Sequence, residues 1–359
     1  MEVTIEKIIE ALSHVIEPDL KKDVIALGLV SNIEYKSGIV NFDLKISNPA
    51  LHNRKRIEEA CNHQLKRFLG AEMKMKANIS AMGKAHEREP QHRTMLPGVK
   101  HIIAVASGKG GVGKSTVAAN LAAGLAKKGH SVGLIDADIY GPSVPAMFDV
   151  SQEKPGTVQI DNKEYIQPVE SYGVKMLSIG FFASPDQAAV WRGPMATKAL
   201  IQLFNDAYWG ELDYMIVDLP PGTGDVHLTM VQQIPLSGVV LVSTPQEIAL
   251  VDVRKAIAMF SMPQINIPIL GLVENMAYFT PEEFPDKKYY IFGKGGARNL
   301  AQMMKIHYLG EIPIVQSIRE AGDIGRPAVL QKDTVQSKAF DKLVEQTIAQ
   351  LKTVKPSQN

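Results

Sequence analysis

The segment HIIAVASGKGGVGKSTVAANLAAGLAKKG (101–129) passes from an apolar run through a glycine-rich turn into a helical repeat without interruption. That order constrains the fold more than any other stretch of the chain. A buried strand that turns on glycines into a helix aims consecutive backbone N–H groups and the positive end of the helix at one point, which suits a phosphate. Gly108, four residues, then Gly113, Lys114 and Ser115 match the P-loop pattern in the setting the pattern needs. Lys109, Gly110, Gly111 and Val112 lie within the turn and Thr116 follows it, so 108–116 is the expected nucleotide-binding stretch. Lys114 is expected to reach the terminal phosphates and Ser115 to ligate Mg²⁺, which makes ATP and Mg²⁺ the expected cofactors. Lys109 is a second lysine that this pattern does not require.

From residue 99 onward, short apolar segments (101–107, 131–136, 214–220, 238–244 and 268–275) alternate with longer helical ones. That alternation predicts an α/β fold: a doubly wound, mostly parallel sheet covered on both faces. The run YMIVD places Asp218 at the carboxyl end of a buried strand, where a Walker-B acid is presented to the metal. PPGTGD (220–225) follows with the composition of a mobile switch loop. Asp136 and Asp138, in DADIYGPSVP (136–145), should emerge at the same end of the sheet. One of the two is expected to orient the attacking water and the other to support Mg²⁺. Lys114, Asp138 and Asp218 are thus candidate catalytic residues, and Ser115, Asp136 and Asp218 candidate Mg²⁺ ligands.

The first block reads as a small α+β unit: a helix near 3–15, strands 29–35 and 39–46, a helix over 53–69 and a strand near 73–79. The polar stretch 84–98 has no periodicity, which sets the expected organisation as domain 1–80, linker 81–98 and domain 99–359. A net charge of +1 gives no reason to expect nucleic acid or an anionic membrane as a partner. The acidic amphipathic start is unlike a signal peptide and no apolar run is long enough to span a bilayer, so a cytoplasmic location is expected. The amphipathic stretch 337–354 mixes Lys342 and Lys352 with Asp341 and Glu345 on its polar side, which suits a helix packed on its own domain. Cys61 is the chain's one cysteine, which excludes an internal disulfide and a cysteine-only metal site within one chain. It shares a helix face with Ile57, Leu65 and Phe68 and reads as core.

From about residue 99 the chain resembles the deviant Walker-A ATPases, the group of MinD, ParA and the nitrogenase iron protein, and most of all the Mrp family of ATP-binding iron–sulfur cluster carriers. The residues that carry the likeness are GKGGVGKST (108–116), DADIYGPSVP (136–145), WRGPM (191–195), DLPPGTGD (218–225), STPQE (243–247), ENMAYF (274–279) and IREAGDIGRP (318–327). EPDLKKDVIALGLV (17–30) and SNPALHNRK (47–55) make the first block similar to the MIP18-like domain that some Mrp proteins carry. The resemblance implies a homodimer in which Lys109 reaches the nucleotide of the other subunit. That adds Lys109 to the catalytic set, acting as an arginine finger does. It further implies base contacts from Asn275 and the segment 243–247, slow Mg²⁺-dependent hydrolysis of ATP, and transfer of Fe–S clusters to apoproteins or assembly factors. For Arg192 it leaves a buried salt bridge and a functional contact equally open.

One family feature is missing. Mrp carriers usually hold a C-x-x-C after the ENM block, one pair per subunit, so that a dimer grips a cluster through thiolates. Here those positions fall near Thr280 and Glu283, and neither supplies the soft sulfur a cluster needs. No Fe–S ligand is identified in the sequence. Two other functions therefore stay open: a nucleotide-switched dimeric scaffold without its own cluster, and a positioning ATPase of the MinD or ParA type.

Overall fold

The computed structural model describes residues 3–17, 22–36, 38–46, 51–70, 72–81, 96–139, 141–182, 193–281, 283–284 and 286–354. Trp191, Arg192 and residues 82–95 of the expected linker lie outside them. The chain divides into two compact units, Met1–Arg93 and Thr94–Asn359.

In the larger unit eight strands form one sheet. Their order is Val169–Ser171, Val174–Ser178, Val132–Asp136, Leu212–Asp218, Val99–Ala106, Gly238–Ser243, Ile269–Glu274 and Tyr308–Glu311. All neighbours run parallel except the first pair. The central strands are apolar almost without break because both of their faces are covered. Ile102 and Ala104 enter one core with Met215, Val217 and Leu241, while Ile103 and Val105 enter the opposite core with Ile216, Val240 and Val242. Successive residues thus serve opposite layers, as the two-residue repeat of a strand requires. The helix Lys114–Lys127 buries Val117, Leu121 and Leu125 in the second core, beside Phe340 and Val344 of the helix Val335–Thr353. That C-terminal helix packs on its own unit, as its mixed polar face predicts. Among the described residues no helix is long and apolar enough to cross a membrane.

Several elements are absent from the sequence reading. Gly156–Ile160 and Lys163–Gln167 form an antiparallel hairpin outside the main sheet. It turns on Asp161 and Asn162, both left-handed (φ 50° and 61°), in the two-residue geometry that matches strand twist. Its residues are mostly half-buried or exposed, so no continuous apolar run marks it. The edge strands Val169–Ser171 and Tyr308–Glu311, and Val174–Ser178 beside the first of them, are too short to stand out by periodicity.

The smaller unit is built on the strands Val30–Lys36, Ile39–Ile46 and Lys74–Ala81, the first pair antiparallel and the second parallel. Ile8 and Leu12 of the helix Ile5–Leu12, and Ile57, Cys61 and Leu65 of the helix Leu51–Leu69, share one core with Val40, Leu44 and Ile46.

Candidate nucleotide-binding site

Strand register gathers the acids. Asp218 lies level with Val105 on one side and with Asp136 on the other, so both carboxylates leave the sheet where the P-loop begins. In that loop Gly111 and Gly113 take left-handed backbone (φ 80° and 81°), which glycine adopts without a Cβ penalty. Gly108 is held by space instead, since a Cβ there would stand 2.2 Å from the carbonyl carbon of Asp252. Ser107 ties the turn together: its hydroxyl donates to the Lys109 carbonyl at 2.9 Å and its own carbonyl accepts from Gly222 N at 2.9 Å. The P-loop and the loop after Asp218 therefore share a hydrogen bond.

Lys114 is buried at the start of its helix. Its Nζ lies 2.5 Å from Asp218 Oδ1, 3.3 Å from Ser115 Oγ and 3.5 Å from Asp138 Oδ2. Ser115, Lys114, Asp138 and Asp218 thus form one cluster. Asp218 is fully buried, its Oδ2 has no hydrogen-bond partner among the described residues, and burial holds its pKa above the usual carboxylate range. An orphaned buried carboxylate oxygen next to a serine hydroxyl is a donor set that fits Mg²⁺, a hard cation that takes oxygen ligands.

Asp136 is fully buried too, but both of its oxygens are engaged. Oδ1 accepts from Asp138 N at 3.2 Å; Oδ2 accepts from Ser143 N at 3.0 Å, Val144 N at 3.1 Å and Ser178 Oγ at 3.0 Å. It thereby fixes the loop that presents Asp138. Burial, with the Asp218 charge alongside, pushes its pKa up to about 7.

Lys109 is exposed at the loop tip and makes no ion pair or side-chain hydrogen bond among the described residues. Asn275 is buried, and its Nδ2 donates to the Val112 carbonyl at 2.8 Å, bracing the P-loop from outside. A Cβ on Gly113 would stand 2.2 Å from that same nitrogen. Beyond Asn275 opens a largely apolar cavity of about 680 Å³, walled by Gly113, Thr116, Asn275, Pro313 and Val315. Of the positions that the resemblance assigned to the base, Asn275 lines this cavity and 243–247 do not. The Ser243 hydroxyl is spent on the Thr244 carbonyl at 3.0 Å.

No sequence pattern singles out His227. It stands in the helix Asp225–Gln233, directly after the 220–225 loop, and is buried. Its Nδ1 lies 3.1 Å from the Pro220 carbonyl, which assigns the proton to Nδ1, while Nε2 has no hydrogen-bond partner among the described residues. Burial pushes its pKa down to about 4. A histidine two residues past a switch loop was the available signal. Thr280 is half-buried and Glu283 exposed, and Cys61 sits in the core of the other unit with its thiol pushed up to about 12 by burial.

Comparison with known proteins identifies the family. The ParA model, described as NUBPL iron-transfer P-loop NTPase, matches residues 98–348, and a model described as iron–sulfur cluster assembly protein matches residues 5–74. An iron–sulfur cluster carrier protein of Synechocystis sp. is 40% identical over 348 residues, 96% of this chain and 97% of that one. Another of that name, from Aquifex aeolicus, is 52% identical over 251 residues, 69% of this chain and 67% of its own. A solved nucleotide-binding protein from Archaeoglobus fulgidus, in complex with ADP, superposes with a TM-score of 0.59 at 39% identity, covering 68% of this chain and 94% of its own.

Proposed function

Because this chain belongs to the family of NUBPL-type iron-transfer P-loop NTPases, we propose that it is a dimeric, Mg²⁺-dependent ATPase whose slow turnover serves the transfer of iron–sulfur clusters to apoproteins. The observation that carries the reading is the cluster of Lys114, Ser115, Asp138 and Asp218 at the carboxyl edge of the sheet, in which Lys114 and Asp218 are buried. The ADP held by the Archaeoglobus relative supports the choice of nucleotide.

The phosphates lie against the N–H groups of 108–116, and Lys114 turns from Asp218 to the terminal phosphate. Ser115 and Asp218 would hold Mg²⁺, which when bound would offset charge on the phosphates. Asp138, less buried than Asp218, orients the attacking water, and Asp136 keeps Asp138 in place through the bonds described above. The nucleoside enters the cavity beyond Asn275. Lys109, without an ion pair or side-chain hydrogen bond among the described residues, reaches the phosphates of a second copy and stabilises the charge that develops on the transferring group.

The cluster is cargo, and this chain offers it no thiolate at Thr280 or Glu283. That observation favours a second reading, a nucleotide-switched scaffold that acts on clusters held by other proteins. Anaerobic reconstitution with iron and sulfide, with iron counted per dimer and ATPase activity measured alongside, tests both. A stoichiometric cluster supports carriage by non-thiolate or unusual ligands. No cluster with intact ATPase activity supports the scaffold, and no ATPase activity overturns the proposal.

A further inference from the structure

Asn120 sits in the middle of the P-loop helix, among alanines and leucines, with almost no exposure. Asparagine is a poor residue for a helix interior, and a buried amide must be bonded on both ends to be tolerated. Here it is. Its Nδ2 donates to the Thr116 carbonyl at 2.9 Å, and its Oδ1 accepts from the backbone N–H of Val329 at 2.8 Å, more than two hundred residues away in the chain. Val329 belongs to the short 3-10 turn Ala328–Leu330, whose leading N–H groups have no partner within the turn itself. The Val329 carbonyl is held from the same helix, accepting from Lys127 Nζ at 3.0 Å.

Between these two anchors, one turn from Asn120, lies Gly124. A Cβ there would stand 3.3 Å from a Val329 methyl and 2.6 Å from a Val344 methyl, so the missing side chain admits the close approach. Asn120, Gly124 and Lys127 therefore form a dock on one helix face for a single backbone unit. That unit leads directly from Pro327 and Ala328, which form the wall of the 680 Å³ cavity together with Asn120 and Thr116. The helix that presents the P-loop lysine and serine at its first turn thus also fixes the far wall of the cavity.

We infer that Asn120 is a positioning residue for the nucleoside half of the nucleotide site, acting through the backbone of Val329. The inference rests on the reading that the cavity receives the nucleoside. Asn120 also lines the cavity, but its amide is committed at Nδ2 to Thr116 and at Oδ1 to Val329, so its part is to hold the wall rather than to read the base. It sets the distance between the wall residues Pro327 and Ala328 and the phosphate loop. Without it the Val329 N–H is buried and unpaired, and the wall shifts to find another partner.

Calorimetry on the full chain with ADP and with pyrophosphate, both in Mg²⁺, tests this. The native protein should bind ADP more tightly than pyrophosphate; equal affinities would remove the reading of the cavity itself, whatever the variants do. Asn120→Ala should weaken ADP about tenfold and change pyrophosphate by less than about twofold. A merely structural defect would weaken both ligands alike, and that outcome, or an unchanged affinity for ADP, overturns the inference. Lys127→Met removes the second anchor at a partly exposed position, where folding is less at risk. It should move the ratio of the two affinities in the same direction by a smaller factor, and an unmoved ratio counts against the dock.

Discussion

Lys114 Nζ and Asp218 Oδ1 are 2.5 Å apart in a setting that leaves the other oxygen of the same carboxylate without a partner. Removing one member of a buried ion pair strands the other, which is costly. If a phosphate draws Lys114 away, Asp218 is left needing a cation. Nucleotide and Mg²⁺ should therefore reinforce each other, because each completes the charge balance the other disturbs. Asp218→Asn frees Lys114 and removes the carboxylate. It should bind ADP in EDTA at least as well as the native protein and gain little from added Mg²⁺, whereas the native protein gains about tenfold or more. Titration calorimetry in the two buffers measures this, and a full Mg²⁺ effect in the variant would contradict it.

Lys109→Ala should leave ADP affinity within about twofold, since the side chain has no partner among the described residues, yet lose hydrolysis by about a hundredfold or more, as removal of an arginine-finger cation does. Light scattering with a non-hydrolysable ATP analogue should show the ATP-dependent dimer weakened. Turnover that survives would separate this lysine from catalysis.

The loop's glycines are not equivalent. Gly108→Ala places a methyl 2.2 Å from the Asp252 backbone, which has no freedom to yield, while the nearest atom to a Cβ on Gly110 is Pro221 Cγ at 4.0 Å. Gly108→Ala should lower the unfolding midpoint by several degrees, at a cost of about 1–3 kcal/mol. Gly110→Ala should unfold at nearly the native temperature. Thermal denaturation of both, compared with the parent, distinguishes fit from sequence identity.

His227 should make stability depend on pH. Its folded pKa of about 4 lies below the ordinary value of 6.5, so between those limits the unfolded chain binds the extra proton. Stability from this group is therefore complete above pH 6.5, falls as pH drops through the window, and amounts to about 3 kcal/mol in full. Asp136, raised to about 7, contributes the opposite slope over overlapping pH, and it is present in both proteins to be compared. Denaturant unfolding of the native chain and of His227→Gln, which keeps a donor for the Pro220 carbonyl, should differ by a slope confined to about pH 4–6.5. Parallel curves would show that the imidazole stays solvated.

Cys61 should resist a thiol reagent in the native state, because its side chain is fully buried and its thiol is pushed up to about 12. Reaction should appear only with denaturant. Prompt labelling of the folded chain would place the thiol at the surface and reopen a role for it with metal.

The P-loop, the parallel sheet and Asp218 were legible in the sequence because each has a local signature. A glycine pattern sits between a strand and a helix, unbroken apolar runs mark strands covered on both faces, and an acid ends one such run. Cys61 was legible as core for the same reason, by its place in a helical repeat. Tertiary structure decided what no short window contains. Register alone sets Asp136 level with Asp218, and burial alone commits both oxygens of Asp136 to backbone and Ser178 while leaving one oxygen of Asp218 open. The hydrogen bonds from Asn275 to Val112 and from Val329 to Asn120 span well over a hundred residues each, and no spacing rule connects those positions. His227 carried no motif of its own; its low pKa comes from the walls that close around it. Sequence sets what each segment can do locally, whereas desolvation and long-range hydrogen bonding assign the work, because both depend on neighbours that only the folded chain brings together.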